Sequence, residues 1–162
     1  MILNLNFAKA HCGAVLHAEE NVIINNDILK PMFDDCNECR VSLDYSYDGY
    51  RIECNGNCSI RLTGRCYRCG EKVDVDHCFE FNEMILPESL RQDDTNYCFK
   101  GDKVDITKII EDNLILSLPL QLLCKNDCKG LCPHCYTNLN FSSCKCANTT
   151  SVSPFDVLRN IK

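Results

Sequence analysis

The sequence predicts an α+β fold: an antiparallel β-meander, one amphipathic helix packed on it, and a C-terminal tail with too few apolar side chains for a core of its own. Three observations predict it. Between residues 41 and 83 apolar side chains alternate with polar ones, interrupted by two-residue turn signals. Residues 106–114 switch to helical spacing. From Cys124 to Cys146 six cysteines follow at gaps of three, three, two, eight and one residues.

Ile2 to Phe7 reads as a first strand. Val41, Leu43, Tyr45 and Tyr47 alternate with Ser42, Asp44 and Ser46, the period of a strand with one face buried. Asp48-Gly49 is a two-residue hairpin signal, and Asn55-Gly56 a second. They frame short strands at Tyr50–Cys54 and Ser59–Arg65, with a fourth at Lys72–Glu83. Polar, acidic residues from Pro87 to Lys100 read as a surface loop. Asp105 is placed to N-cap a helix running to about Ser117, with Ile106, Ile109, Ile110 and Leu114 on its buried face. Pro119 ends it. Near the C-terminus, Ser153-Pro154 is an N-cap followed by proline at the first helical position. It opens a short helix through Phe155, Val157, Leu158 and Ile161. The expected units are residues 1–123, sheet plus helix, and residues 124–162, tail plus short helix.

Fifteen cysteines in 162 residues is an odd count, so a fully paired disulfide framework leaves one thiol over. No basic-then-apolar leader opens the sequence, and no apolar run approaches the roughly 18 residues of a membrane span. The reading is a chain of the reducing cytoplasm, where clustered thiols take metal rather than disulfides. The formal charge is −6. An acidic chain does not coat nucleic acid indiscriminately, so any RNA contact needs a local basic patch.

Thiolates spaced by two residues converge on one ion, and a tetrahedral zinc wants four of them. Cys66-Tyr67-Arg68-Cys69-Gly70 has the shape of a zinc knuckle, with glycine supplying the left-handed turn after the second ligand. It lies between two strands. A thioredoxin-like pair would sit where a strand meets a helix. Together with the six tail cysteines it makes eight ligands for two structural ions: Cys66, Cys69, Cys124 and Cys128 for one, Cys132, Cys135, Cys144 and Cys146 for the other. The alternative groups 124, 128, 132 and 135, leaving 144 and 146 to the knuckle. Four thiolates suit iron as well as zinc.

Cys36, Cys39, Cys54 and Cys58 suggest a third site, but centring the turn on Asp48-Gly49 sets Leu43 opposite Cys54 and Cys39 roughly 13 Å away. Cys12, Cys78 and Cys98 are isolated and read as small buried hydrophobes. His134, inside a C-x-x-C, reads as a solvent-facing filler. His11, His17 and His77 meet no nucleophile in a triad. Phosphate-loop, nucleophile-elbow, zincin and dinucleotide motifs are absent, and an all-thiolate site keeps no open position for water. The expectation is no enzyme and no small-molecule substrate. Arg61, Arg65, Arg68 and Lys72 flank the knuckle, and Lys125, Lys129 and Lys145 sit among the tail ligands. They either grip phosphate or balance thiolate charge.

These residues resemble the YceD family of large ribosomal RNA subunit accumulation proteins. The resemblance rests on Cys66-Tyr67-Arg68-Cys69-Gly70, on Val104-Asp105-Ile106 leading to Glu111, and on Ile115-Leu116-Ser117-Leu118-Pro119. It continues through Cys124, Cys128, Gly130-Leu131-Cys132-Pro133, Leu139-Asn140 and Cys144-x-Cys146, and ends with Ser153-Pro154-Phe155-x-Val157-Leu158. It implies a bacterial or organellar, non-enzymatic factor for accumulation of 23S ribosomal RNA. Its implied partner is that RNA, a ribosomal protein or a pre-ribosomal particle, and the acidic whole tilts toward a protein or ribonucleoprotein. It also supports the first grouping of ligands. The family commonly carries glycine after the C-P-x-C pair; here Tyr136 stands there, which predicts a less regular second knuckle. Rival readings are a thiol-based redox protein and a zinc-ribbon module of RNA processing or transcription.

Overall fold

The computed structural model describes residues 1–24, 29, 33, 38–91 and 97–146. Its elements are β1 (Ile2–Asn4), α1 (Asn6–Ala10), β2 (Val15–Ile23), β3 (Glu38–Tyr47), β4 (Ile52–Arg65), β5 (Lys72–Pro87), β6 (Cys98–Phe99), β7 (Lys103–Asp105) and α2 (Thr107–Ser117). A five-stranded sheet runs in the order β2-β3-β4-β5-β6, antiparallel from β2 to β5 with β6 parallel to β5. β1 and β7 form a separate antiparallel pair.

Strict alternation gives the main sheet one wet and one dry face. On β4, Ile52, Cys54, Cys58, Ile60 and Leu62 are buried while Glu53, Asn55, Asn57, Ser59 and Arg61 are exposed. The dry face joins Val41, Leu43 and Tyr45 of β3 and Phe79, Phe81 and Ile85 of β5 in a single core. Helix α2 closes that core with Ile109, Ile110 and Leu114, as its spacing predicts; Ile106, just before it, is also fully buried.

The expected hairpin at Asn55-Gly56 does not exist: β4 runs through it unbroken. Gly56 faces Phe81 across the ladder, and a Cβ there would lie 2.3 Å from the Phe81 ring. The glycine is a seat for an aromatic ring, not a turn. The Asp48-Gly49 turn is real but longer. Tyr47 pairs with Ile52, so four residues form the loop, and the Asp48 carboxylate caps it by accepting the amides of Tyr50 (2.9 Å) and Arg51 (2.8 Å). Cys54 therefore faces Tyr45 rather than Leu43. A two-residue slip leaves every side chain on its expected face.

The expected strand at Ile2–Phe7 stops at Asn4. Asn4 Oδ1 accepts the Asn6 amide (3.0 Å), and α1 begins there, with Leu5 and Ala8 fully buried. The Pro87–Lys100 segment is not plain loop: it holds a 3-10 turn at Glu88–Leu90 and β6, whose Phe99 is buried. Asp105 precedes α2 by one residue more than expected. Its carboxylate still accepts the Thr107 amide (2.9 Å) and hydroxyl (2.6 Å), so it caps from one step out. The expected helix after Ser153-Pro154 lies outside the described residues.

Candidate metal centres

The inward parity of β4 carries past its end to Cys66, whose side chain is buried. The chain then turns tightly through the knuckle. The Gly70 amide donates to the Cys66 carbonyl (2.9 Å) at φ +72°, and the Cys66 amide donates to the Glu71 carbonyl (2.8 Å). After α2, the segment past Pro119 returns to this loop, where the Tyr67 amide donates to the Leu122 carbonyl (2.8 Å). That contact delivers Cys124 and Cys128 to the knuckle.

Sulfurs of Cys66, Cys69, Cys124 and Cys128 form one group, and those of Cys132, Cys135, Cys144 and Cys146 a second; within each, all lie within 4.8 Å of one another. The alternative grouping by sequence order is not what the fold assembles. In the first, inner group Cys66 Sγ is 3.8 Å from Cys128 Sγ, and Cys69 Sγ 3.6 Å from Cys124 Sγ. Sulfurs at about 2.3 Å from a tetrahedral ion stand about 3.8 Å apart, so the inner set has the dimensions of a zinc site. Either donor set, four soft sulfurs with no oxygen or nitrogen, fits zinc or iron and leaves no position for a substrate.

The second, outer group repeats the knuckle. The Tyr136 amide donates to the Cys132 carbonyl (2.9 Å), and the Cys132 amide to the Thr137 carbonyl (2.9 Å). Tyr136 takes φ +56°, the one positive φ outside glycine among the described residues. The expectation of an irregular second knuckle is thus corrected: tyrosine accepts the strained conformation that glycine adopts freely.

Two thiols in each group sit low and two sit high. Burial pushes Cys66 up, but the amides of Cys124, Cys69 and Arg68 outweigh it and bring the thiol to about 6. Asn140 Nδ2, 3.3 Å from Cys128 Sγ, lowers Cys128. In the outer group the amides of Cys135 and His134 lower Cys132, and the Thr137 hydroxyl, 3.1 Å away, helps bring Cys135 to about 6. Cys144 and Cys146 are raised in turn, because they donate hydrogen bonds to Cys132 and Cys135. Four crowded thiols cannot all ionise alone; a dication removes that conflict.

The two groups are stitched together. Arg68 Nη1 donates to the Cys128 carbonyl (3.0 Å), and the Arg68 carbonyl accepts the Leu131 amide (3.2 Å). Gly130 sits at φ +73°, and a Cβ there would be 3.1 Å from that carbonyl, so the close crossing requires glycine. Sequence reasoning missed this role of Arg68 and the supporting roles of Asn140 and Thr137. Polar residues that brace a knuckle through single hydrogen bonds give no period to read.

The other basic residues divide. Arg61 is paired with Asp76 at 2.9 Å, and Arg65 Nη1 reaches the Gly70 carbonyl at 3.4 Å. Lys72, Lys125, Lys129 and Lys145 are exposed. His134 is exposed, as expected of a filler. Cys12 and Cys78 are exposed, against the expectation of buried thiols, while Cys98 is half-buried. Cys39, Cys54 and Cys58 lie in the core, and Cys36 is outside the described residues. Among the described residues no further group of metal-ligating side chains forms. No helix of the described residues is long and apolar enough to cross a membrane.

A family model described as large ribosomal RNA subunit accumulation protein YceD matches residues 54–162, a stretch that holds both sulfur groups. The chain belongs to the YceD family. Among its relatives is a maize (Zea mays) protein named large ribosomal RNA subunit accumulation protein YCED homolog 1, chloroplastic. It is 41% identical over 149 residues, covering 70% of this chain and 51% of the relative. The Arabidopsis thaliana protein of the same name is 22% identical over 161 residues, covering 80% of this chain and 50% of the relative. An uncharacterized Mycobacterium tuberculosis protein is 27% identical over 86 residues, covering 49% and 41%. This YceD chain thus spans about half the length of the curated plant relatives it matches. No solved structure matches it.

Proposed function

We propose that this YceD-family chain is a cytoplasmic, non-enzymatic factor for accumulation of large-subunit (23S) ribosomal RNA, with two structural zinc ions held by the eight grouped cysteines. The observation that carries the proposal is the family match over the same residues that gather into two four-sulfur sets. Zinc holds the tail where a core cannot, since the exposed segment 124–146 buries only Cys128 and Cys132 among its hydrophobic residues.

Charge supports the tail and knuckle as the working end. Segments 65–72 and 124–146 carry six cations (Arg65, Arg68, Lys72, Lys125, Lys129, Lys145) against two carboxylates (Glu71, Asp127), a net +4. The whole chain is −6, so the remainder carries −10. Two four-thiolate ions at about −2 each bring the metal end to about neutral, still far above the rest. The end that approaches a ribonucleoprotein with least repulsion is this one.

Deleting the gene should lower mature large-subunit RNA relative to small-subunit RNA, and Cys69→Ser should mimic the deletion. Unchanged RNA ratios in the deletion strain would remove the assignment. A redox reading is favoured only by the exposed, acidified Cys135. Rapid alkylation of the metal-loaded native protein by iodoacetamide would favour it.

A further inference from the structure

Beside the outer sulfur group the tail holds a hollow of about 440 Å³, lined by Lys129, Leu139, Asn140, Phe141, Ser142, Ser143 and Cys144. Phe141 is 80% exposed on it. An aromatic ring so exposed usually sits on a loose loop. This one is on a built turn. Asn138 accepts the Asn140 amide on Oδ1 (3.0 Å), and its carbonyl accepts the amides of Phe141 (3.3 Å) and Ser142 (3.2 Å). Asn140 Oδ1 accepts the Lys129 amide (3.0 Å), and its Nδ2 reaches Cys128 Sγ (3.3 Å), which ties the turn to the inner sulfur group. The turn that carries Phe141 and the backbone of Lys129 are therefore braced against each other.

We propose that this hollow takes one unpaired nucleotide of RNA, its base stacked on Phe141 and its phosphate met by Lys129. This rests on the ribosomal-RNA reading above and names the form of RNA bound. No carboxylate lines the hollow to repel a phosphate. Two features favour RNA over an acidic protein segment. Besides Phe141, the apolar lining is the half-buried Leu139 and Cys144, too little to enclose an apolar side chain from a partner. The remainder of the lining is small and polar, suited to the edges of a base and a 2′-hydroxyl. Base–aromatic stacking is sequence-tolerant and works with a nearby positive charge on the backbone; Phe141 supplies an exposed ring and Lys129 a cation on the same hollow. Duplex RNA, its bases already stacked, should not enter.

The chain has no tryptophan, so Phe141→Trp installs a lone fluorophore. Titrating the metal-loaded variant with a single-stranded oligouridine should quench that fluorescence, and an RNA duplex of equal length should not. By fluorescence anisotropy with the same labelled oligouridine, Phe141→Ala should bind about tenfold or more weakly, the scale for losing one stacked base. Lys129→Gln should flatten the salt dependence by about one unit of slope. Metal content unchanged at two per chain shows that the variants are folded. Wild-type affinity in Phe141→Ala, or equal quenching by duplex, overturns the proposal. So does loss of co-sedimentation with large-subunit particles in Phe141→Ala at unchanged oligouridine affinity, which would place a protein in the hollow. Normal RNA ratios in a deletion strain, with oligouridine binding intact, would instead remove the cellular role and leave the site standing.

Discussion

Gly70 and Tyr136 hold the same place in two knuckles. Each follows the second cysteine of a C-x-x-C pair, and each amide donates 2.9 Å to the carbonyl of the first, at φ +72° and +56°. One residue is suited to that conformation and the other is not.

Tyr136→Gly should therefore strengthen the outer knuckle. Relief of a left-handed conformation is worth about 1–2 kcal/mol, offset by about 0.5–1 kcal/mol of added chain entropy in the unfolded state. A net gain of up to about 1.5 kcal/mol should appear as slower metal loss to a competing chelator. Gly70→Ala should shift the inner centre the other way by about 1 kcal/mol. A Tyr136→Gly chain that loses metal faster would contradict the equivalence.

The centres should empty in order. Three inner cysteines are buried, whereas the outer set is buried only at Cys132. A chelator should take the outer ion first, and hydrogen exchange should then rise in residues 129–146 before it rises in β4 and β5. Cys144→Ser should cost one ion and leave the other. Simultaneous loss of both ions at every chelator concentration would show that the groups act as one.

Adding a single carbon to Gly56 should be expensive. Its Cβ would meet the buried Phe81 ring at 2.3 Å. Gly56→Ala should lose about 1–3 kcal/mol, the usual cost of overpacking, seen as a lower urea midpoint. Adding Phe81→Leu to it should recover part of the loss. An unchanged midpoint for the single variant would mean that the ring moves freely.

Two histidines should tilt the pH dependence of stability in opposite senses. Hydrogen bonds donated to the Asp44 (2.7 Å) and Glu19 (3.2 Å) carboxylates raise His17 above its ordinary value. The folded state binds that proton more tightly, so the contribution is full below the ordinary value and is lost as pH rises through the raised one. Burial lowers His77, whose Nε2 meets Ser117 Oγ at 2.9 Å. Its contribution is full above the ordinary value and is lost as pH falls through the lowered one. Urea midpoints at about pH 5.5 and about pH 7.5, either side of the ordinary 6.5, should show that His77→Ala flattens the loss toward acid and His17→Ala the loss toward base. The same sign of change in both variants would refute the assignment.

Alternation made the two faces of β4 and β5 readable, and helical spacing gave the inner face of α2. What escaped depended on contacts distant in sequence. Nothing near Gly56 announces Phe81, twenty-five residues away on the neighbouring strand. The pairing of Ile2 with Asp105 joins residues 103 positions apart and leaves no local trace. Asp48 was legible as a turn residue, but not that its carboxylate would widen the loop to four. At the candidate site the cysteines declared themselves by spacing. The residues that brace them, Arg68, Thr137 and Asn140, did not, because a hydrogen bond to sulfur or to a carbonyl imposes no repeat on the sequence.

The inner group takes two sulfurs from residues 66–69 and two from 124–128, whereas the outer draws all four from 132–146. Their assembly is then ordered by reach. An ion can gather the outer ligands from a short stretch of chain before any sheet exists. The inner ligands come from the turn between β4 and β5 and from the segment after α2, which the Leu122 carbonyl ties together by accepting the Tyr67 amide. An ion in the inner centre would therefore latch the tail onto the sheet, whereas one in the outer centre would close the tail on itself alone.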